Sequence, residues 1–321
     1  MKKNCTMVRH MAVYCIVCLL ALACFIPHSS AQILHLRDIG ADYRWLYYTG
    51  DGGAQLSLFT FEPENHKAGD RCPAIVFIHG GGFIGGDPSY FFPHCRYFAE
   101  RGAVAFSISY RLITQKGLEG IDAIGVCISD CKSAIRYIRT NAESFGIDPD
   151  RIAVIGDSAG GHLAACMGMF PDAVDSATVR TVSSRANAMV LYNPPVDLEI
   201  KAFNNVFAIP EFGDAEKERL KRFSPITYVT ENLPPALVMH GAEDVTIPIE
   251  QIYRFTEKMK KAGNRCDMIA LEGTKHAFVI VGIGTDKTIV RALQETDRFL
   301  ASLGYLKGEP TIHYSLSNRS E

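Results

Sequence analysis

The chain has 321 residues, 47% of them hydrophobic, with 33 Lys and Arg against 35 Asp and Glu for a net charge of −2. That length is enough to bury one substantial core. The slightly acidic balance argues against nucleic acid or an anionic membrane surface as a partner. The first residues read as an address. Lys2, Lys3 and Arg9 precede an apolar stretch from Met11 to Ile26, and Ser29-Ser30-Ala31 supplies small residues before Gln32. This predicts a secretory signal over residues 1–31, cut after Ala31, rather than a membrane span of the mature protein. A second reading of the same stretch is a lipid anchor at Cys24. It follows Ala21-Leu22-Ala23, which has alanine where a lipobox usually has leucine.

Beyond the leader, Arg44 to Tyr48 and Gln55 to Phe61 read as an antiparallel pair turning at Asp51-Gly52-Gly53. Pro73 to Ile78 is a buried-strand run that ends in His79-Gly80-Gly81-Gly82-Phe83. Three successive glycines let the backbone turn its amides, rather than side chains, towards a single point, as a developing oxyanion requires. A phosphate loop would end in Lys-Ser/Thr, and this one does not. His79 precedes any nucleophile and reads as a loop brace. Ala103 to Ser109 is the next strand, and Ile121 to Ser144 carries apolar residues at helical spacing.

The run Ile152-Ala153-Val154-Ile155 then meets Gly156-Asp157-Ser158-Ala159-Gly160-Gly161, followed by a small-residue, helix-compatible segment. Strand, Gly-x-Ser-x-Gly and helix form the context of a nucleophile elbow, with Ser158 at a helix N-terminus. In this layout the oxyanion donors are the amides of Gly81, Gly82 and Ala159.

On His79 to Phe83, Ser109-Tyr110-Arg111-Leu112 and Gly156 to Leu163, the chain resembles the α/β-hydrolase superfamily from about residue 40 to residue 303. Within it, the nearest likeness is to hormone-sensitive-lipase-like esterases and allied carbohydrate esterases. The resemblance implies a mostly parallel eight-stranded sheet flanked by helices, with a short cap after strand 6 and one catalytic domain over 32–303. It also implies a triad in the order serine, acid, histidine. Three histidines follow the serine at a useful distance. His313 sits in the polar end of the chain, and His240 ends the strand Ala236 to Met239. His276 lies in a loop after the strand Met268 to Leu271, where the family carries its base. Gly241-Ala242-Glu243-Asp244 resembles the family's Gly-x-x-Asp loop and selects Asp244, leaving Glu243 solvated. Asp197, after the strand Ala188 to Tyr192, is the rival acid, and either carboxylate could instead cap a helix.

Gln251 to Ala262 and Lys287 to Leu303 complete the helices. Residues 198–224, with Phe203, Phe207, Phe212 and Phe223 among charges, break the alternation. They read as a small cap over the pocket or as a surface helix. Gly304 to Glu321 has no periodicity and reads as a loose tail. Six cysteines remain after the leader. Cys166 reads as a small buried hydrophobe, and Cys127 with Cys131 lie one helical turn apart, a poor disulfide geometry. A bridge between Cys72, Cys95 or Cys266 and another site stays open. No cofactor is expected, because the histidines form no His-Glu-x-x-His and the close cysteine pair has no second pair beside it.

These features predict a serine hydrolase of carboxylic esters that removes acetyl or other short acyl groups from plant polysaccharides or their oligosaccharides. The alternatives are a general short-chain carboxylesterase, a serine peptidase on the same fold, and an inactive binding module.

Overall fold

The computed structural model describes residues 43–115, 117–118, 120–171, 181–207, 209 and 211–313. The expected leader, Cys24 and residues 314–321 lie outside them. Eight strands form one sheet: β1 Arg44–Thr49, β2 Gln55–Phe61, β3 Cys72–Ile78, β4 Val104–Ile108, β5 Ile147–Asp157, β6 Ala188–Tyr192, β7 Ala236–Gly241 and β8 Cys266–Leu271. Their order is β1-β2-β4-β3-β5-β6-β7-β8. β2 runs antiparallel to both its neighbours, and the pairs from β4 and β3 through to β8 are parallel.

Among the described residues seven α-helices connect or follow these strands: α1 Phe92–Glu100, α2 Ala123–Thr140, α3 Ala159–Met169, α4 Lys201–Val206, α5 Asp214–Lys221, α6 Ile249–Lys261 and α7 Asp286–Ser302. The central strands are apolar throughout because helices cover both sheet faces. Period-two alternation splits their side chains between two cores. Val76, Ile78, Phe106 and Val154 join the core under α2 and α3, while Ile75, Phe77, Ala105 and Ile155 join the one under α1 and α7.

Strand order positions the site. β3 is followed in sequence by β4 on one side but pairs with β5 on the other. The crevice outside the carboxyl ends of β3 and β5 is therefore a topological switch point, where loops from the two strands leave in different directions.

Two expectations are corrected. α2 stops at Thr140, four residues short of Ser144, because Asn141 bonds the Tyr137 carbonyl through its own side chain at 2.8 Å. Such a residue competes with the backbone and ends a helix. The stretch read as a loose tail is packed as far as Ile312. Tyr305, Leu306 and Ile312 are buried, and Gln294 of α7 donates to the Ile312 carbonyl at 2.8 Å. Apolar residues too sparse to show a period can still each fill a site on the core. The six cysteines among the described residues are all free thiols, including Cys72, Cys95 and Cys266. No described helix is long and apolar enough to cross a membrane.

Candidate active site

The chain leaves β5 at Asp157 and enters α3 at Ala159, so Ser158 alone makes the turn. Its backbone takes φ 54° and ψ −122°, a strained conformation for a side-chain-bearing residue. Its amide bonds the Tyr192 carbonyl at 2.9 Å, which fixes the turn against β6. The helix that follows must approach β3 closely: a Cβ on Gly160 would stand 2.0 Å from the Ile78 carbonyl oxygen. Any side chain there would push the serine out of place.

Ser158 Oγ lies 2.8 Å from His276 Nε2, and His276 Nδ1 lies 2.6 Å from Asp244 Oδ2. The three residues come from the carboxyl ends of β5, β7 and β8, so separations of 118 and 32 positions in sequence close to hydrogen-bond length. Asp244 is buried, and its Oδ1 accepts from the amides of Thr246 and Ile247 at 2.8 and 2.9 Å. Burial pushes its carboxyl up, but the His276 hydrogen bond and charge and the Ile247 amide outweigh this and hold it below the ordinary carboxylate range. Burial pushes the His276 imidazole down, yet the Asp244 hydrogen bond and the charges of Asp157 and Asp244 carry it above its ordinary 6.5.

Asp197 is not brought to the histidine. Its Oδ1 accepts from the Glu199 amide at 3.2 Å, and its Oδ2 pairs with Arg254 of α6 at 3.2 Å. Glu243 is exposed, as expected. His313 lies exposed at the end of the described residues. His162, on α3, spends its Nε2 on the Phe223 carbonyl at 2.7 Å.

The glycine loop after β3 folds over the crevice. Gly81 adopts φ 117°, and a Cβ there would meet the Gly85 carbonyl oxygen at 2.2 Å, so only glycine fits. Among the described residues none accepts a hydrogen bond from the amides of Gly81, Gly82 or Ala159. Free amides from a loop and a helix N-terminus are the donor set that an oxyanion needs. His79 braces the loop: its ring stacks on Tyr110 at 4.4 Å and its Nδ1 contacts the Gly80 carbonyl at 2.8 Å. Burial lowers its pKa to about 4, so it stays neutral.

The cap is half of each expected kind. α4 packs inward, with Phe203 5.9 Å from the Phe83 ring of the glycine loop, and Val206 Cγ2 3.8 Å from where a Gly82 side chain would begin. α5 lies on the surface and buries only Leu220.

Sequence reasoning missed two supports. Asn193, at φ 43° just past β6, donates to Asp157 Oδ1 at 3.4 Å and accepts from the Gly241 amide at 3.1 Å. It thereby ties together the strand ends that carry the serine and the acid. An asparagine directly after a buried strand was the available signal, since asparagine tolerates positive φ. Asp157 is the second: burial raises its carboxyl to about 6, against the lowering influence of the His276 charge and Asn193.

The BD-FAE family model matches residues 60–259, a span holding all but one of these groups. A solved thermophilic esterase of Thermogutta terrifontis, captured with propionate, is 37% identical, with a TM-score of 0.75 over 84% of this chain and 97% of that one. Esterase LipC of Mycobacterium tuberculosis is 29% identical over 64% of this chain and 53% of its own length. A probable isoprenylcysteine alpha-carbonyl methylesterase of Arabidopsis thaliana is 26% identical over 64% of this chain and 45% of its own. The chain thus spans about half the length of these two relatives. A strained serine turn, a free-amide loop and a mostly parallel eight-stranded sheet agree with these likenesses, and the chain belongs to the BD-FAE family of α/β-hydrolase esterases.

Proposed function

We propose that the protein cleaves acetyl or other short acyl esters on plant polysaccharides or their oligosaccharides, with Ser158 as nucleophile, His276 as base and Asp244 as the acid. The observation that carries the chemistry is the continuous relay of 2.8 and 2.6 Å from Ser158 through His276 to Asp244. Ser158 Oγ attacks the ester carbonyl carbon while its proton passes to His276 Nε2. The ionised Asp244 holds Nδ1–H, so that Nε2 is the free base, and it stabilises the imidazolium that forms. Gly81, Gly82 and Ala159 amides receive the negative oxygen. The alcohol leaves with the proton from Nε2, and the acyl group stays on Ser158. Water then attacks that acyl-enzyme in the same way, releasing the acid and restoring the serine.

Two observations support a short acyl group. Val206 and Ile84 each stand 3.8 Å from where a Gly82 side chain would begin, so apolar side chains flank the proposed oxyanion donor. The solved relative was captured with propionate and, in another structure, with butyrate. The polysaccharide alcohol rests on the resemblance to carbohydrate esterases and on the leader pattern of residues 1–31, which fits export and cleavage after Ala31. A second reading has an observation of its own: the relative named as a probable isoprenylcysteine alpha-carbonyl methylesterase supports a methyl ester on a carrier other than sugar.

The test is hydrolysis of p-nitrophenyl acetate, butyrate and octanoate alongside acetate release from acetylated xylan. The carbohydrate reading expects acetate esters to turn over faster than octanoate, and free acetate from xylan. Faster octanoate turnover with no acetate from xylan would redirect the reading to lipid-like esters.

A further inference from the structure

A second histidine approaches Asp244. His240, at the end of β7 and fully buried, stands four residues before the acid. Its Nε2 lies 2.9 Å from the Ile247 carbonyl oxygen and 3.5 Å from Asp244 Oδ2. Its Nδ1 meets no hydrogen-bond partner among the described residues. A carbonyl oxygen can only accept, so Nε2 carries a proton, and an unpartnered buried Nδ1 favours the neutral ring. One N–H thus faces both the Ile247 carbonyl and the carboxylate edge.

The contact closes a small circuit. Asp244 Oδ1 holds the amide of Ile247 at 2.9 Å, while His240 holds the carbonyl of that same residue. The loop is also keyed to the histidine side. The Glu243 amide donates to the Thr274 carbonyl at 2.9 Å, and the Ala242 amide to the Leu271 carbonyl at 2.9 Å. A Cβ on Gly241 would stand 2.4 Å from the Thr274 oxygen, so the two loops touch backbone to backbone. A shift of the acid loop cannot stay local.

We propose that His240 is a positioning residue for ester hydrolysis: its neutral Nε2–H pins the Asp244–Ile247 loop and keeps Asp244 Oδ2 on His276 Nδ1. This rests on the serine, histidine and acid roles given above. A merely structural histidine would satisfy one carbonyl and leave the acid indifferent to it. Neutrality is consistent with its surroundings: burial lowers its pKa, the Ile247 carbonyl and the charge of Asp244 work the other way, His276 lowers it, and Glu250 raises it. The groups facing His276 are Asp244, Asp157 and His240 itself.

The test compares His240→Gln, His240→Asn and His240→Leu, with Asp244→Asn as control. A glutamine amide nitrogen falls near the Nε2 place, and an asparagine nitrogen near the Nδ1 place. On p-nitrophenyl acetate, His240→Gln should keep most of its kcat and its acidic pH midpoint. His240→Asn and His240→Leu should lose about tenfold to hundredfold in kcat with KM unchanged, the scale of a misplaced catalytic group. Their midpoint in kcat/KM should fall towards 6.5, the ordinary imidazole value, as His276 loses its carboxylate. Should His240→Leu fail to fold, the contrast between glutamine and asparagine decides. Full kcat in His240→Asn, or a loss with the midpoint unmoved, or glutamine no better than asparagine, would overturn the proposal. An active Asp244→Asn would instead overturn the acid assignment on which it rests.

Discussion

At the scale of single residues, the site depends on one strained backbone and two hydrogen bonds. Ser158→Ala removes the proposed nucleophile but fits the turn as serine does, so folding should be retained while kcat falls about 10⁴-fold or more. A variant keeping a tenth of the rate would place the nucleophile elsewhere. Asp244→Asn should cost about 10³–10⁴-fold, because the amide lets His276 settle in the wrong tautomer. Its pH profile adds a sign. The base must be neutral to accept the serine proton, and His276 is raised above 6.5, so wild-type kcat/KM should fall on acidification with a midpoint above that value. Loss of the Asp244 carboxylate leaves Asp157 as the remaining raising charge against burial and should move the midpoint down. If Asp197→Asn gave these effects and Asp244→Asn did not, the acid would be Asp197. The serine and glycine loop were legible in sequence because tight turns leave a local signature. Asn193 was not, since its partners arrive from other strands, and His240 was read only as a strand-end histidine, since no short motif records a contact with the acid loop.

At the scale of elements, most central strands were read nearly to their ends because burial on both faces leaves apolar runs. β5 instead begins at Ile147, ahead of the apolar run Ile152 to Ile155, where Asp148, Asp150 and Arg151 hide the strand. Helix ends and the cap were less legible. The end of α2 turns on one side-chain bond of Asn141, and the cap's helices have six and eight residues, too few to display a period. α4 carries Val206, the side chain proposed to limit acyl length. Val206→Ala should open the space beside Gly82 and raise the rate on hexanoate relative to acetate by up to about tenfold, since each accommodated methylene is worth roughly 1 kcal/mol. An unchanged chain-length profile would remove α4 from the acyl side of the pocket.

At the scale of the whole molecule, distant parts of the chain are tied by buried polar groups. Asp297 of α7 is fully buried, accepts from Tyr97 at 2.6 Å, and takes a two-pronged bond from Arg101 at 2.6 and 3.0 Å. Arg101 reaches on to the Lys307 carbonyl at 2.9 Å, so the same cluster holds α1, α7 and the chain beyond residue 303. Asp297→Ala leaves a nearly buried guanidinium unpaired and should cost about 3–5 kcal/mol, read as a lower denaturant midpoint with normal activity per folded molecule. Acid should loosen the fold as well. Burial lowers the pKa of His94 to about 3 and of His79 and His162 to about 4. Below 6.5 the unfolded chain takes up protons that these folded histidines refuse, so stability should fall from about pH 6.5 towards 3. His94, with neither ring nitrogen hydrogen-bonded among the described residues, should lose its share of that slope as His94→Leu. Three loops from three strand ends are proposed to make Ser158 a nucleophile. Mass mapping after treatment with diethyl p-nitrophenyl phosphate tests this most directly. One phosphoryl adduct on the peptide holding Ser158, formed in step with loss of esterase activity and absent in Ser158→Ala, is the predicted result. An adduct on another residue, or full activity in protein labelled at Ser158, would contradict it.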